Sequence, residues 1–149
     1  MPDIHSKAEL LIKEFLSSEN TQDLILCVQE EVHDSQLCEM VTAWFQLSLE
    51  WSFSSRTKTV NALIALHKAG HLDTNCLFKA LEEMLSQAED LLIDIPMTYK
   101  YLAELIVPLM LTAECITFCH IKEALDPLKE SSGAKTLLLE IVKILQKEK

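Results

Sequence analysis

The stretch "DTNCLFKALEEMLS", residues 73–86, sets Leu77, Ala80, Leu81, Met84 and Leu85 at offsets of three, four, seven and eight. These offsets put side chains on one face of a helix, whereas a half-buried strand would alternate. Asp73 or Thr74, just ahead of the stripe, can offer a side-chain oxygen to the first free N–H groups, so a helix is expected to open there. The same period recurs in both directions. Upstream, Gly70 stands where a left-handed residue would close a helix carrying Val60, Leu63, Ile64 and His67. Before it, Asp34 or Ser35 would open a helix through Leu37, Val41, Trp44, Phe45 and Ser48 that ends near residues 51–55; its two bulky aromatics make it central. Asn20 or Thr21 would cap a short helix on Leu24, Cys27 and Val28 that stops near His33, and Ile4, Ala8, Leu11, Ile12, Phe15 and Leu16 make the first.

Downstream, residues 86–93 read as a connector, with Pro96 at the first or second position of a sixth helix, where its missing N–H costs little. Leu102, Leu105, Ile106, Leu109 and Met110 continue that helix, and Pro108 should bend or close its end. A seventh helix, about 113–125, stops before Pro127; Ser131 or Ser132 caps an eighth with Leu137, Leu138, Ile141, Ile144 and Leu145 inward. Eight helices on short connectors, with no strand, predict an all-α domain over 1–149, built as a stack of antiparallel helical hairpins. No exact sequence repeat accompanies the helix count.

Composition agrees with this picture. The chain has 149 residues, only 2 Gly and 4 Pro, and is 49% hydrophobic, which disfavours disorder and turn-rich β architecture. The longest apolar run, about Leu105 to Leu111, lies between Glu104 and Glu114 and falls well short of the roughly 20 residues that span a bilayer. "MPDIHSKAELLIKEF" mixes charge into every turn, unlike a secretory signal, so an intracellular setting is expected. Five cysteines, an odd set on apolar stripes, read as small reduced hydrophobes. The formal charge of −10 repels phosphate, arguing against nucleic acid or an anionic membrane and for a basic partner.

Catalytic and metal signatures are weak. Cys115 and Cys119 share a helical face beside His120, but two thiols with no second ligand pair read as core packing. His67 and His71 flank Gly70, where imidazoles meet the last carbonyls of a helix. Motifs for a nucleophile elbow, a phosphate loop, a zinc protease or a dinucleotide fold do not occur, and no enzyme, cofactor or metal is expected. The acidic run Glu82, Glu83, Glu89, Asp90 and Asp94 reads two ways. It is a solvated face with Asp94 capping the next helix, or Asp90 and Asp94 project from an inter-helix turn as an acidic knob for a partner's Arg or Lys.

The segment "AEDLLIDIPMTYKYLAELIVPLM", residues 88–110, resembles the helical module called MA-three (MA3), found in the translation-initiation scaffold factor 4G and twice in the programmed-cell-death-4 suppressor. "FLSSENTQDLILCVQEE" is similar to the family's first hairpin, "LSLEWS" to the close of its third helix and "ALHKAGHLD" to the turn after its fourth; I-D-I-P with Y-L-A-E-L is closer to the factor 4G branch. The resemblance, from about His5 to Lys147, implies a HEAT-like hairpin stack and a cytoplasmic, monomeric, non-catalytic translation module. Its partner would be the DEAD-box RNA helicase initiation factor 4A. In the cell-death-4 members acidic inter-helix turns on one edge contact basic residues of the helicase. Carried over by motif, the D of "IDIP" is Asp94, the acid four before it Asp90, and the Glu closing "LSLE" Glu50. Trp51 departs from the factor 4G pattern and reads as a new contact or as core. Two alternatives stand beside this reading: an adaptor that has lost the helicase and serves another protein, which an exposed apolar patch around Trp51 and Phe53 would favour, and direct RNA binding through a thin basic stripe at Lys135, Lys143, Lys147 and Lys149.

Overall fold

The computed structural model describes residues 4–111, 119, 122–123 and 132–147. Its helices are α1 (Ile4–Ser18), α2 (Thr21–Glu31), a 3-10 turn (Asp34–Gln36), α3 (Leu37–Ser48), α4 (Phe53–Lys68), α5 (Thr74–Ser86), α6 (Ala88–Asp94), α7 (Thr98–Leu111) and α8 (Ser132–Lys147), and no strand occurs among the described residues. The helices form two layers. In one, α1 packs on α3 and α3 on α5; in the other, α2 packs on α4, α4 on α7 and α7 on α8. Hairpins α1/α2 and α3/α4 bridge the layers, and α5 reaches α7 by way of α6. This is the all-α hairpin stack expected.

Local chemistry sets most boundaries. Asn20, Ser52 and Asp73 each accept a backbone N–H three residues on, from Asp23, Ser55 and Cys76, satisfying donors that the first turn of a helix leaves free. Gly70, at φ +81°, closes α4: His71 N–H donates to Leu66 O at 3.0 Å and Gly70 N–H to His67 O at 3.1 Å, the paired bonds of a Schellman turn. The buried faces are wider than a single stripe on α3 and α4, because each is packed on several sides. Trp44, fully buried, donates its indole N–H to Ala8 O at 2.8 Å and locks α3 to α1.

Four expectations need correction. The stretch 86–93 is mostly helical, as α6, since Ala88, Leu91 and Leu92 supply inward anchors and no breaker intervenes before Pro96. Pro96 consequently lies in the α6–α7 turn, with Ile95 pushed extended ahead of it, and Asp94 ends α6 and caps no helix. Helix α3 stops at Ser48, and no side-chain cap bond from Asp34 or Ser35 opens it. Finally, Cys38 and Cys76 form a disulfide between α3 and α5, with Cα atoms 4.7 Å apart, where five reduced thiols were expected. The two residues face each other only because α3 and α5 pack side by side. The expected seventh helix, with Cys115 and His120, lies outside the described residues. Pro108 is inside α7, which runs on to Leu111. No helix among the described residues is long and apolar enough to cross a membrane.

Candidate functional site

Helix α6 divides cleanly by face. Ala88 is buried, and Leu91, Leu92 and Ile95 are half-buried against the core, at offsets of three, four and seven. Glu89, Asp90, Ile93 and Asp94 are left outward and exposed, Ile93 by 80%. The turn that follows is fixed from below: Thr98, fully buried, donates its hydroxyl to Ile95 O at 2.5 Å, and Ile95 N–H donates to Leu91 O at 2.8 Å. The outward carboxylates therefore stand on a braced platform.

Asp90 and Asp94 make no side-chain hydrogen bond or ion pair with another described residue. Glu89 and Asp90 lie in the first turn of α6, where the helix dipole favours negative charge; Asp94 lies in the last, where it does not. The local electrostatics thus account for Asp90 but not for Asp94.

Glu50 reaches this region from α3. Leu49 is buried and Glu50 exposed, in a turn closed by Glu50 N–H to Leu47 O at 3.1 Å and Trp51 N–H to Ser48 O at 3.1 Å. Glu50 lines an open groove of about 320 Å³, shared with His5 and Glu9 of α1, Leu47 of α3, and Leu91 and Ile95 at α6. Gln46 donates to Gln87 Oε1 at 3.2 Å and ties α3 to the start of α6. Glu50 and α6 thus line one groove, with Asp90 and Asp94 next in the chain to two of its lining residues.

The Glu50 turn is held by a residue the sequence reading missed. Arg56 of α4, 4% exposed, donates Nη1–H to Trp51 O at 2.5 Å, and Nε–H and Nη2–H to Glu104 Oε1 of α7 at 3.2 and 2.9 Å. Its guanidinium also stacks on Tyr101, 3.7 Å from the ring centroid. The available signal was Arg56 at offsets of four and seven from Val60 and Leu63, on the buried face of α4. Trp51 is half-buried against the core, so its departure from the family pattern is largely packing; Phe53, 60% exposed, stands alone of the suspected apolar pair. Tyr99 is buried with no partner for its hydroxyl among the described residues, and its phenol is pushed up by burial, then by Glu89.

The class these features define is a two-layer, all-α stack of helical hairpins that displays carboxylates on α6 and on the turn after α3. Comparison with known proteins makes that specific: the MA3 domain family matches residues 4–117, and the chain belongs to it. Eukaryotic translation initiation factor 4 gamma 1 of Oryctolagus cuniculus is 34% identical over 147 residues, covering 99% of this chain and 10% of that protein. The Mus musculus factor 4 gamma 1 is 34% identical over 145 residues, and the Homo sapiens factor 4 gamma 3 is 31% identical over 147, each with 9% of its own length covered. The chain spans about a tenth of the length of these relatives. The expected branch is the one found.

Proposed function

We propose that this chain is a non-catalytic interaction module of the translation-initiation machinery that binds the DEAD-box helicase initiation factor 4A through the edge bearing Asp90, Asp94 and Glu50. The observation that carries this reading is the outward face of α6: two carboxylates one turn apart, exposed, without partners among the described residues, on a turn braced by Thr98. Such groups gain charge-assisted bonds from a partner's Arg or Lys without first breaking bonds of their own. Glu50, in the lining of the same groove as α6, offers a third contact, so that a basic partner is oriented as well as attracted. The net charge of −10 adds long-range steering toward a basic surface. The stack itself supplies rigidity, which would let the module hold or bias the two lobes of the helicase. The reading also makes this module monomeric and cytoplasmic, with no cofactor or metal and no direct contact with nucleic acid.

The test is a calorimetric titration against purified initiation factor 4A, with RNA-stimulated ATPase as a second readout. Asp90→Lys with Asp94→Lys is expected to weaken binding by about 2–5 kcal/mol, as for charge pairs buried in an interface, and Glu50→Lys to weaken it further. Unchanged affinity in the double variant would end the assignment.

A further inference from the structure

A second surface, separate from the acidic edge, lies between α1 and α2. The two helices border an open groove of about 700 Å³ with buried Leu11 and Leu24 among its lining. Its lips are Leu10, 66% exposed, and Leu26, 53% exposed, large apolar side chains that keep contact with water in the free chain. Carboxylates stand beside both lips: Glu14 one turn beyond Leu10, and Asp23 and Glu30 to either side of Leu26. Lys13, in the same wall, pairs with Glu9 at 3.4 Å, so the rim is anionic. Half-buried Cys27 also lines the groove; burial first, then Glu31, Glu14, Glu30 and Asp23, push its thiol up, so that it stays neutral and serves as apolar wall.

The walls limit what can lie there. The described residues offer no strand edge for β-addition, and Phe15, the aromatic of the lining, is buried and presents no open slot to a proline-rich ligand. A trough between two helices, running roughly 12 Å from Leu10 to Ser18, instead accepts a third helix packed on both. The charge on the rim selects its sign. We propose that the α1/α2 groove docks an amphipathic helix of another protein, carrying a Leu- or Met-type stripe flanked by Lys or Arg.

The test uses a synthetic Leu/Lys amphipathic peptide of about four helical turns and a scrambled peptide of equal composition without a stripe. Both are titrated by fluorescence anisotropy, with a hydrogen-exchange footprint on the complex. Saturable binding of the striped peptide, protection centred on α1 and α2, and weakening of at least about tenfold in Leu10→Asp with Leu26→Asp and again in Glu14→Lys with Glu30→Lys are expected. All four positions are exposed, and circular dichroism checks that the helices persist. Asp90→Lys with Asp94→Lys should leave the peptide affinity unchanged, which keeps this surface distinguishable from the proposed helicase edge. Equal binding of the scrambled peptide, undiminished binding by the two leucine substitutions, or loss through the Asp90 and Asp94 variant alone would each overturn the proposal. So would sedimentation showing that the native chain dimerises and that Leu26→Asp makes it monomeric, since the groove would then belong to a second copy.

Discussion

Arg56 is tolerable inside an apolar stack because three groups from distant parts of the chain converge on it. Glu104, the Trp51 carbonyl and the Tyr101 ring together replace the water that its guanidinium gives up. Removing either charge of the pair strands the other, so Arg56→Met or Glu104→Leu alone is expected to destabilise by about 3–5 kcal/mol in urea unfolding. The double variant should recover much of that loss; equal destabilisation by the singles and the double would show that shape, not charge, is what matters. Tyr99 is the opposite case, a buried hydroxyl without a partner among the described residues. Tyr99→Phe removes an unsatisfied group and should be neutral or stabilising by up to about 1–3 kcal/mol. The pH dependence has a definite sign. Because the folded phenol is held above its ordinary value near 10, the native state keeps its proton where the unfolded chain loses it, and stability falls as pH rises beyond about 10. That part of the alkaline slope should vanish in Tyr99→Phe, with denaturant midpoints across the alkaline range as the measure.

At the scale of elements, α6 is the informative one. Seven residues cannot hold a helix in water, and no side chain caps this one. It persists because Ala88, Leu91 and Leu92 dock on the body of the stack, so its existence was not readable from a local period too short to count. Its carboxylates follow from the same geometry. Had Asp94 capped the next helix, replacing it would cost stability; at the C-terminal end of α6 it opposes the dipole instead. Asp94→Lys is therefore expected to leave the melting temperature unchanged or slightly raised, while affinity for the proposed helicase partner drops. A marked fall in melting temperature would mean that the carboxylate serves its own fold.

For the whole molecule, the disulfide fastens one layer across its middle. Cys38 and Cys76 are separated by 38 residues, and their bond joins α3 to α5, the packed pair at the centre of the α1–α3–α5 layer. Closing a loop of that size restricts the unfolded chain, so reduction, or Cys38→Ser with Cys76→Ser, should lower stability by about 2–4 kcal/mol. Denaturant unfolding with and without a phosphine reductant measures this, and thiol titration of the denatured chain identifies the oxidised form. Identical unfolding curves would remove the bond from the account of stability. The two surfaces proposed for partners are borne by different parts of the stack, the acidic edge on the α3 and α6 turns and the apolar groove on the α1/α2 hairpin, and α1 contributes to both grooves.

The sequence by itself determined whatever depends on neighbours within about two helical turns. The stripe of α5, the caps at Asn20 and Asp73 and the closing turn at Gly70 all follow from helical period and side-chain chemistry over a few residues. The absence of strand patterning fixed the class in the same way. Tertiary structure decided what requires partners far apart in the chain: Glu50 sharing a groove with α6, Arg56 held by Glu104 at a separation of 48 residues, Cys38 bonded to Cys76, and α6 itself. The physical reason is range. Periodicity and capping act through the backbone's own hydrogen bonds, whereas burial of a charge or assembly of a groove depends on which helices come to lie side by side, and no local pattern carries that information.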